Sequence, residues 1–124
     1  MSEATVNLLD TYREAVAAKP NSSAARANLG MGYYGAKRYE EALPEFQAAL
    51  KLDRNNVDAY YGLGLTLKAS GEKKEAIEAF EKAIALAGRL SDEVKGQMLM
   101  RLAQGQINEI KTGDWGLTKE TRRK

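Results

Sequence analysis

The 124-residue chain contains no cysteine and no histidine. The first absence excludes disulfides, iron–sulfur clusters and a thiolate nucleophile. The second removes the commonest general base and metal ligand. Proline occurs only at Pro20 and Pro44, and aromatic residues make up 7% of the chain, with a single tryptophan. A composition of 44% hydrophobic and 29% charged residues is that of a globular protein and excludes collagen-like and low-complexity classes. No run approaches the roughly 18 apolar residues of a membrane-spanning helix. Met1-Ser2-Glu3-Ala4-Thr5 has neither the basic region nor the apolar core of a signal peptide, so with Met1 taken as the native start a cytoplasmic location is expected. The length predicts one domain that buries roughly two-thirds of its unfolded surface.

Charge is also nearly absent in the net. The formal total is +2, and residues 1–36 and 37–90 are each balanced, so the excess lies in 91–124 and mainly in Arg122, Arg123 and Lys124. A neutral body with a short basic tip points to a solvated terminus. It leaves nucleic-acid binding through Lys119 and Arg122–Lys124 as the alternative function.

What the chain does have is an internal period of about 34 residues. That shift places Ala25 on Ala59, Leu29-Gly30 on Leu63-Gly64, Glu41-Ala42 on Glu75-Ala76, Phe46 on Phe80, Ala49 on Ala83 and Leu52 on Leu86. The opposite shift places Leu9 under Leu43, Tyr12 under Phe46 and Ala15 under Ala49, so a half copy precedes the two full ones. Within each copy the apolar spacing is helical. Ala25, Leu29 and Tyr33 recur every four residues, and Ala42, Leu43, Phe46, Ala49 and Leu50 form one stripe. Strand alternation is absent. Asp53-Arg54-Asn55-Asn56 and Gly71-Glu72-Lys73 read as turns, and Asn21 and Ser22 after Pro20 are available as helix caps.

Gly30 and Gly64 fall inside helices, where each costs about 1 kcal/mol relative to alanine. Their common phase suggests a close approach of the second helix of the pair, with Ala42 and Ala76 as small counterparts. Gly32, Gly35 and Gly62 further weaken the first helices. Pro44 falls inside the second helix of the first copy, which is expected to kink or to start later than its twin. In the last third, Ser91-Asp92-Glu93 reads as a cap with an acidic first turn. Val94, Met98, Leu102 and Ile110 mark one stripe with Leu99, Ala103 and Ile107 beside it, and Gly113 gives a stop. One helix of roughly twenty residues follows, with Trp115 expected to pack against it or its neighbour.

Leu29-Gly30, Tyr33, Tyr39, Ala42, Phe46 and Ala49, repeated as Tyr60, Leu63-Gly64, Gly71, Ala76, Phe80 and Ala83, resemble the motif of the tetratricopeptide-repeat family. Arg26 stands where that motif usually has tryptophan, and Arg54 and Gly88 where it has its closing proline. The resemblance implies an all-α fold, a right-handed α–α superhelix of helix hairpins. It divides one domain, 1–124, into a half repeat over 6–19, full repeats over 23–56 and 57–90, a long capping helix over 91–113 and a tail over 114–124. The cap is needed because an internal unit leaves one face uncovered.

The resemblance also implies function. The first helix of each hairpin lines a concave groove, with Ala24, Ala27, Asn28, Met31 and Tyr34 facing inward from the first copy and Asp58, Tyr61, Leu65 and Lys68 from the second. Their three- and four-residue spacings agree with a shared face. Tyrosine, methionine and leucine offer adaptable apolar contact, and Asn28 can bond a peptide amide. Relatives that grip a C-terminal carboxylate need cations where Asp58 and Gly62 stand, so this chain is not expected to be such a clamp. The expected function is a non-catalytic adaptor, scaffold or assembly chaperone that binds a peptide segment. It requires no cofactor and no metal, and the chain is a monomer or weak homodimer. Acid–base catalysis is not expected, because the carboxylates lie on polar helix faces, with Glu78 and Lys82 spaced as a surface pair.

Overall fold

A computed structural model describes residues 3–113. Among them there are six α-helices and no strand: α1 (Glu3–Ala18), α2 (Ser23–Gly35), α3 (Tyr39–Leu52), α4 (Val57–Ala69), α5 (Lys73–Ala87) and α6 (Glu93–Thr112). The 34-residue period reaches the level of single hydrogen bonds. Ser22 and Asn56 occupy the same phase, and their side chains accept from the backbone N–H of Ala25 (3.1 Å) and Ala59 (3.0 Å). Each thereby satisfies one orphan donor of its helix. Asp92 caps α6 in the same way, through Lys95 N–H at 3.0 Å.

The exits of α2 and α4 are equally matched. Arg38 N–H donates to Tyr33 C=O at 2.8 Å and Lys37 N–H to Tyr34 C=O at 2.9 Å; Glu72 donates to Leu67 at 2.9 Å and Gly71 to Lys68 at 3.0 Å. This paired closure needs a left-handed residue. Gly71 supplies it at φ 84°, whereas the first copy uses Lys37 at φ 63°, the only described non-glycine residue with positive φ.

Each helix packs on the next in the chain. In addition, α2 touches α4 and α4 touches α6, while α1 and α3, and α3 and α5, do not meet. The row α2, α4, α6 is therefore the compressed side of the stack and the row α1, α3, α5 the splayed side. That is the curvature of an α–α superhelix. Two core clusters fill it. One is built on Leu9, Leu29, Ala42, Phe46 and Ala59, the other on Ala76, Phe80, Leu99, Ala103 and Ile107.

Several expectations change in detail. Helix α3 does not start late: Tyr39 and Lys73 open α3 and α5 at the same phase, and Pro44 is accommodated inside α3. The neighbour that requires glycine at 30 and 64 is an aromatic ring, not a small alanine. A methyl on Gly30 would lie 2.9 Å from Phe46 Cε1, and one on Gly64 2.6 Å from Phe80 Cε1. The additional glycines are seats as well, Gly62 for the same Cε1–Cζ edge of the Phe46 ring and Gly32 for Leu9 and Tyr12 of α1; of these only Gly35 faces open space. On α6 the buried stripe is Leu99, Ala103 and Ile107, while Val94 is 80% and Met98 53% exposed. Gly96 in turn lets α6 approach the carbonyl of Ala87 at the end of α5. The expected contact of Trp115 and the tail 114–124 lie outside the described residues.

Candidate groove on the compressed side

The residues expected to face inward come from α2 and α4, adjacent members of the compressed row. From α2, Asn28 is exposed, Met31 is 38% exposed and Tyr34 is half-buried. From α4, Asp58 is exposed, and Tyr61, Leu65 and Lys68 are half-buried. Of the two alanines, Ala24 is exposed and Ala27 is buried in the core. The Met31 sulfur reaches α4, where it lies 3.0 Å from the position of a methyl on Gly62. Tyr34 stacks at a tilt on Tyr39, with ring centroids 5.7 Å apart, and Tyr61 on Phe80 at 5.6 Å. Burial holds the Tyr34 phenol above the ordinary phenol pKa, and the neighbouring hydroxyls of Tyr39 and Tyr61 push it further in the same direction. Tyr34, Tyr61 and Leu65 each pack partly against the core, and with Met31 they leave apolar surface partly open on the adjacent helices α2 and α4.

Helix α6 supplies the third wall, which the sequence had not indicated. Lys68 Nζ donates to Gln106 Oε1 at 2.6 Å and pairs with Glu109, Gln106 Nε2 donates to Tyr61 OH at 3.4 Å, and Lys95 Nζ pairs with Asp58 at 3.3 Å. The two charged residues expected to meet a ligand, Asp58 and Lys68, are therefore held by α6. Lys95, Gln106 and Glu109 sit at spacings of eleven and three residues on one helical face, and this was the available signal. It was masked because the apolar stripe of the same helix reads more strongly as a lid.

Among the described residues no buried side-chain N or O lacks a partner. Nor does any group of three or more Asp, Glu, His or Cys among them suit a metal ion. No helix among the described residues is long and apolar enough to cross a membrane. The wall offers apolar contact and phenolic hydrogen bonds, with an ion pair at each end of the α4–α6 contact. The basic tail that underlay the nucleic-acid alternative lies outside the described residues.

Known proteins carry the same pattern. A family model described as TPR repeat matches residues 32–71, and one described as tetratricopeptide repeat matches 57–89. The chain is similar to the small glutamine-rich tetratricopeptide repeat-containing protein 2 of Saccharomyces cerevisiae, 28% identical over 80 residues, with 64% of this chain and 23% of that protein aligned. It is similar also to the E3 ubiquitin-protein ligase CHIP of Arabidopsis thaliana, 28% identical over 114 residues, with 92% of this chain aligned to 40% of that protein. The chain thus spans well under half the length of these curated relatives. Among solved structures, the MamA RS-1 ArsTM double mutant superposes with a TM-score of 0.62 at 21% identity, over 98% of this chain and 70% of that one.

Proposed function

The chain belongs to the tetratricopeptide-repeat family, and from that premise we propose that it is a protein-interaction module that takes a peptide segment along the compressed side. One observation carries this reading: Met31 and Tyr34 of α2 and Tyr61 and Leu65 of α4 are only partly buried on two helices that pack side by side, with the Met31 sulfur reaching Gly62 of α4. Tyrosine and methionine are suited to such contacts because they bury large area at low cost in ordering and adapt to irregular shapes. Asn28, exposed on the same face, is free of the α6 contacts and suits a backbone amide of the ligand. Because Asp58 and Lys68 are engaged with α6, the apolar residues supply the affinity and the ion pairs hold the α6 wall of the groove in place.

Titrating a panel of extended and helical peptides with apolar anchors tests the groove, with fluorescence anisotropy as the readout. Substituting both Tyr34→Ala and Tyr61→Ala is expected to weaken the best binder by about tenfold or more, as loss of aromatic anchors does. Equal affinities for a variant whose circular dichroism is unchanged would reject the groove.

A further inference from the structure

The edge of the α4–α5 hairpin holds a pocket of about 270 Å³ that the groove does not use. Its walls are Arg54 and Asn55 from the α3–α4 connection, Tyr60 from α4, and Lys82, Leu86 and Arg89 along and just beyond α5. Tyr60 lies one residue off the Tyr61–Leu65 stripe and so points to a different side of α4. Arg54, Lys82 and Arg89 are all exposed, no carboxylate lines the pocket, and among the described residues none of the three makes an ion pair. The Glu78–Lys82 surface pair suggested by the sequence is not formed. Glu78 lies instead with Glu75 in the next cleft, which shares Tyr60 and Lys82 with the pocket and is otherwise lined by Leu63, Leu67 and Ala79.

The position one period earlier is bridged by an ion pair. There Arg26 replaces Tyr60 and Glu45 replaces Ala79, and the two form an ion pair at 3.2 Å. Arg26 also donates to the carbonyl of Pro20, the counterpart of Arg54, at 3.2 Å. The positions of Lys82 and Arg89 are held by Ala48 and Asn55. The charge that the first hairpin satisfies internally is thus absent from the second. Three cations surround a cavity in its place.

We propose that this edge is a second binding site, for an acidic polypeptide segment. Its carboxylates sit among Arg54, Lys82 and Arg89, where guanidinium groups can bind them in bidentate fashion. An adjoining apolar side chain lies on Tyr60, Leu63 and Leu67. Glu75 and Glu78 at the far end favour a polypeptide over a nucleic acid, because the evenly spaced phosphates of a strand would run into both carboxylates, whereas a peptide can follow its acids with apolar and basic residues.

NMR titration of the whole ¹⁵N-labelled chain decides this. The probes are an N-acetylated peptide of three glutamates, two leucines and a lysine amide, its glutamine counterpart, inorganic phosphate and a short oligothymidylate, all at one ionic strength. The acidic peptide is expected to give saturable shifts centred on 54–60 and 82–89. Its affinity should fall by about tenfold or more with the glutamine peptide and in the Lys82→Ala/Arg89→Ala variant, as loss of close charge pairs predicts. Those two side chains are exposed, so the variant should retain the wild-type spectrum elsewhere; Arg54→Gln is the substitute if it does not. Shifts that are absent or centred elsewhere, affinity unchanged in the variants, or phosphate or oligothymidylate binding as tightly as the peptide would each overturn the proposal. The Tyr34→Ala/Tyr61→Ala protein should bind the acidic peptide normally, so this site and the groove can fail separately.

Discussion

The two hairpins α2–α3 and α4–α5 are built on one plan and diverge where each meets its surroundings. At the edge, the first links its helices through Arg26, Glu45 and the Pro20 carbonyl, and the second leaves a pocket beside Tyr60, with no ion pair at the Tyr60–Ala79 position. In the core, Phe46 sits between Gly30 of its own hairpin and Gly62 of the next, whereas Phe80 packs on Gly64 and Tyr61 of its own hairpin. At the turn, Lys37 carries a backbone conformation that Gly71 adopts without penalty. The period is therefore a statement about backbone and cap geometry. The strained turn and the open cationic edge reside in the positions that break it.

The core difference has the largest expected consequence. Both rings are fully buried, so Phe46→Ala and Phe80→Ala should each cost about 3–5 kcal/mol in urea unfolding. Phe46→Ala should cost more, because it empties a contact shared by two hairpins. Equal losses would show that the Gly62 seat adds nothing. The turn difference comes next. Lys37→Gly should stabilise the chain by roughly 0.5–1 kcal/mol, since it removes the steric cost of a left-handed non-glycine residue and returns part of it as added freedom in the unfolded chain. Gly71→Lys should destabilise by a similar amount, and a thermal melt of both variants checks the sign.

The smallest effect concerns pH. Burial keeps the folded Tyr34 phenol protonated at higher pH than the unfolded one. The folded state thus binds the extra proton, and stability is intact below about pH 10 and declines as pH rises through the raised folded value. Tyr34→Phe should flatten that decline. A profile identical to wild type would place the alkaline transition on another group.

The helices, two of their caps and the hairpin plan were readable from the sequence because each rests on local chemistry: apolar spacing, Ser22 and Asp92 as acceptors, Gly113 as a stop, whereas Asn56 read only as part of a turn and is the cap of α4. The inward residues of α2 and α4 followed from the family resemblance, and one of them, Ala27, lies in the core instead. What could not be read depends on where a helix lies in space. Gly62 and Gly32 looked like weaknesses because their ring neighbours, Phe46 and Tyr12, are distant in the chain. The apolar stripe that the spacing marks on α6 lies one residue away from its buried face, since Met98 and Leu99 are both apolar and only packing against α5 selects Leu99. Asp58 and Lys68 looked available until α6 was in place beside them.

A side chain held jointly by neighbouring units has an effect on how the array comes apart. In a stack of near-independent modules, each could fray separately and the ends would open long before the middle. With one phenyl ring clasped between α2 and α4, loosening either hairpin removes packing from the other. Amide exchange in the two should then report a common opening free energy, and denaturation should be cooperative across the pair.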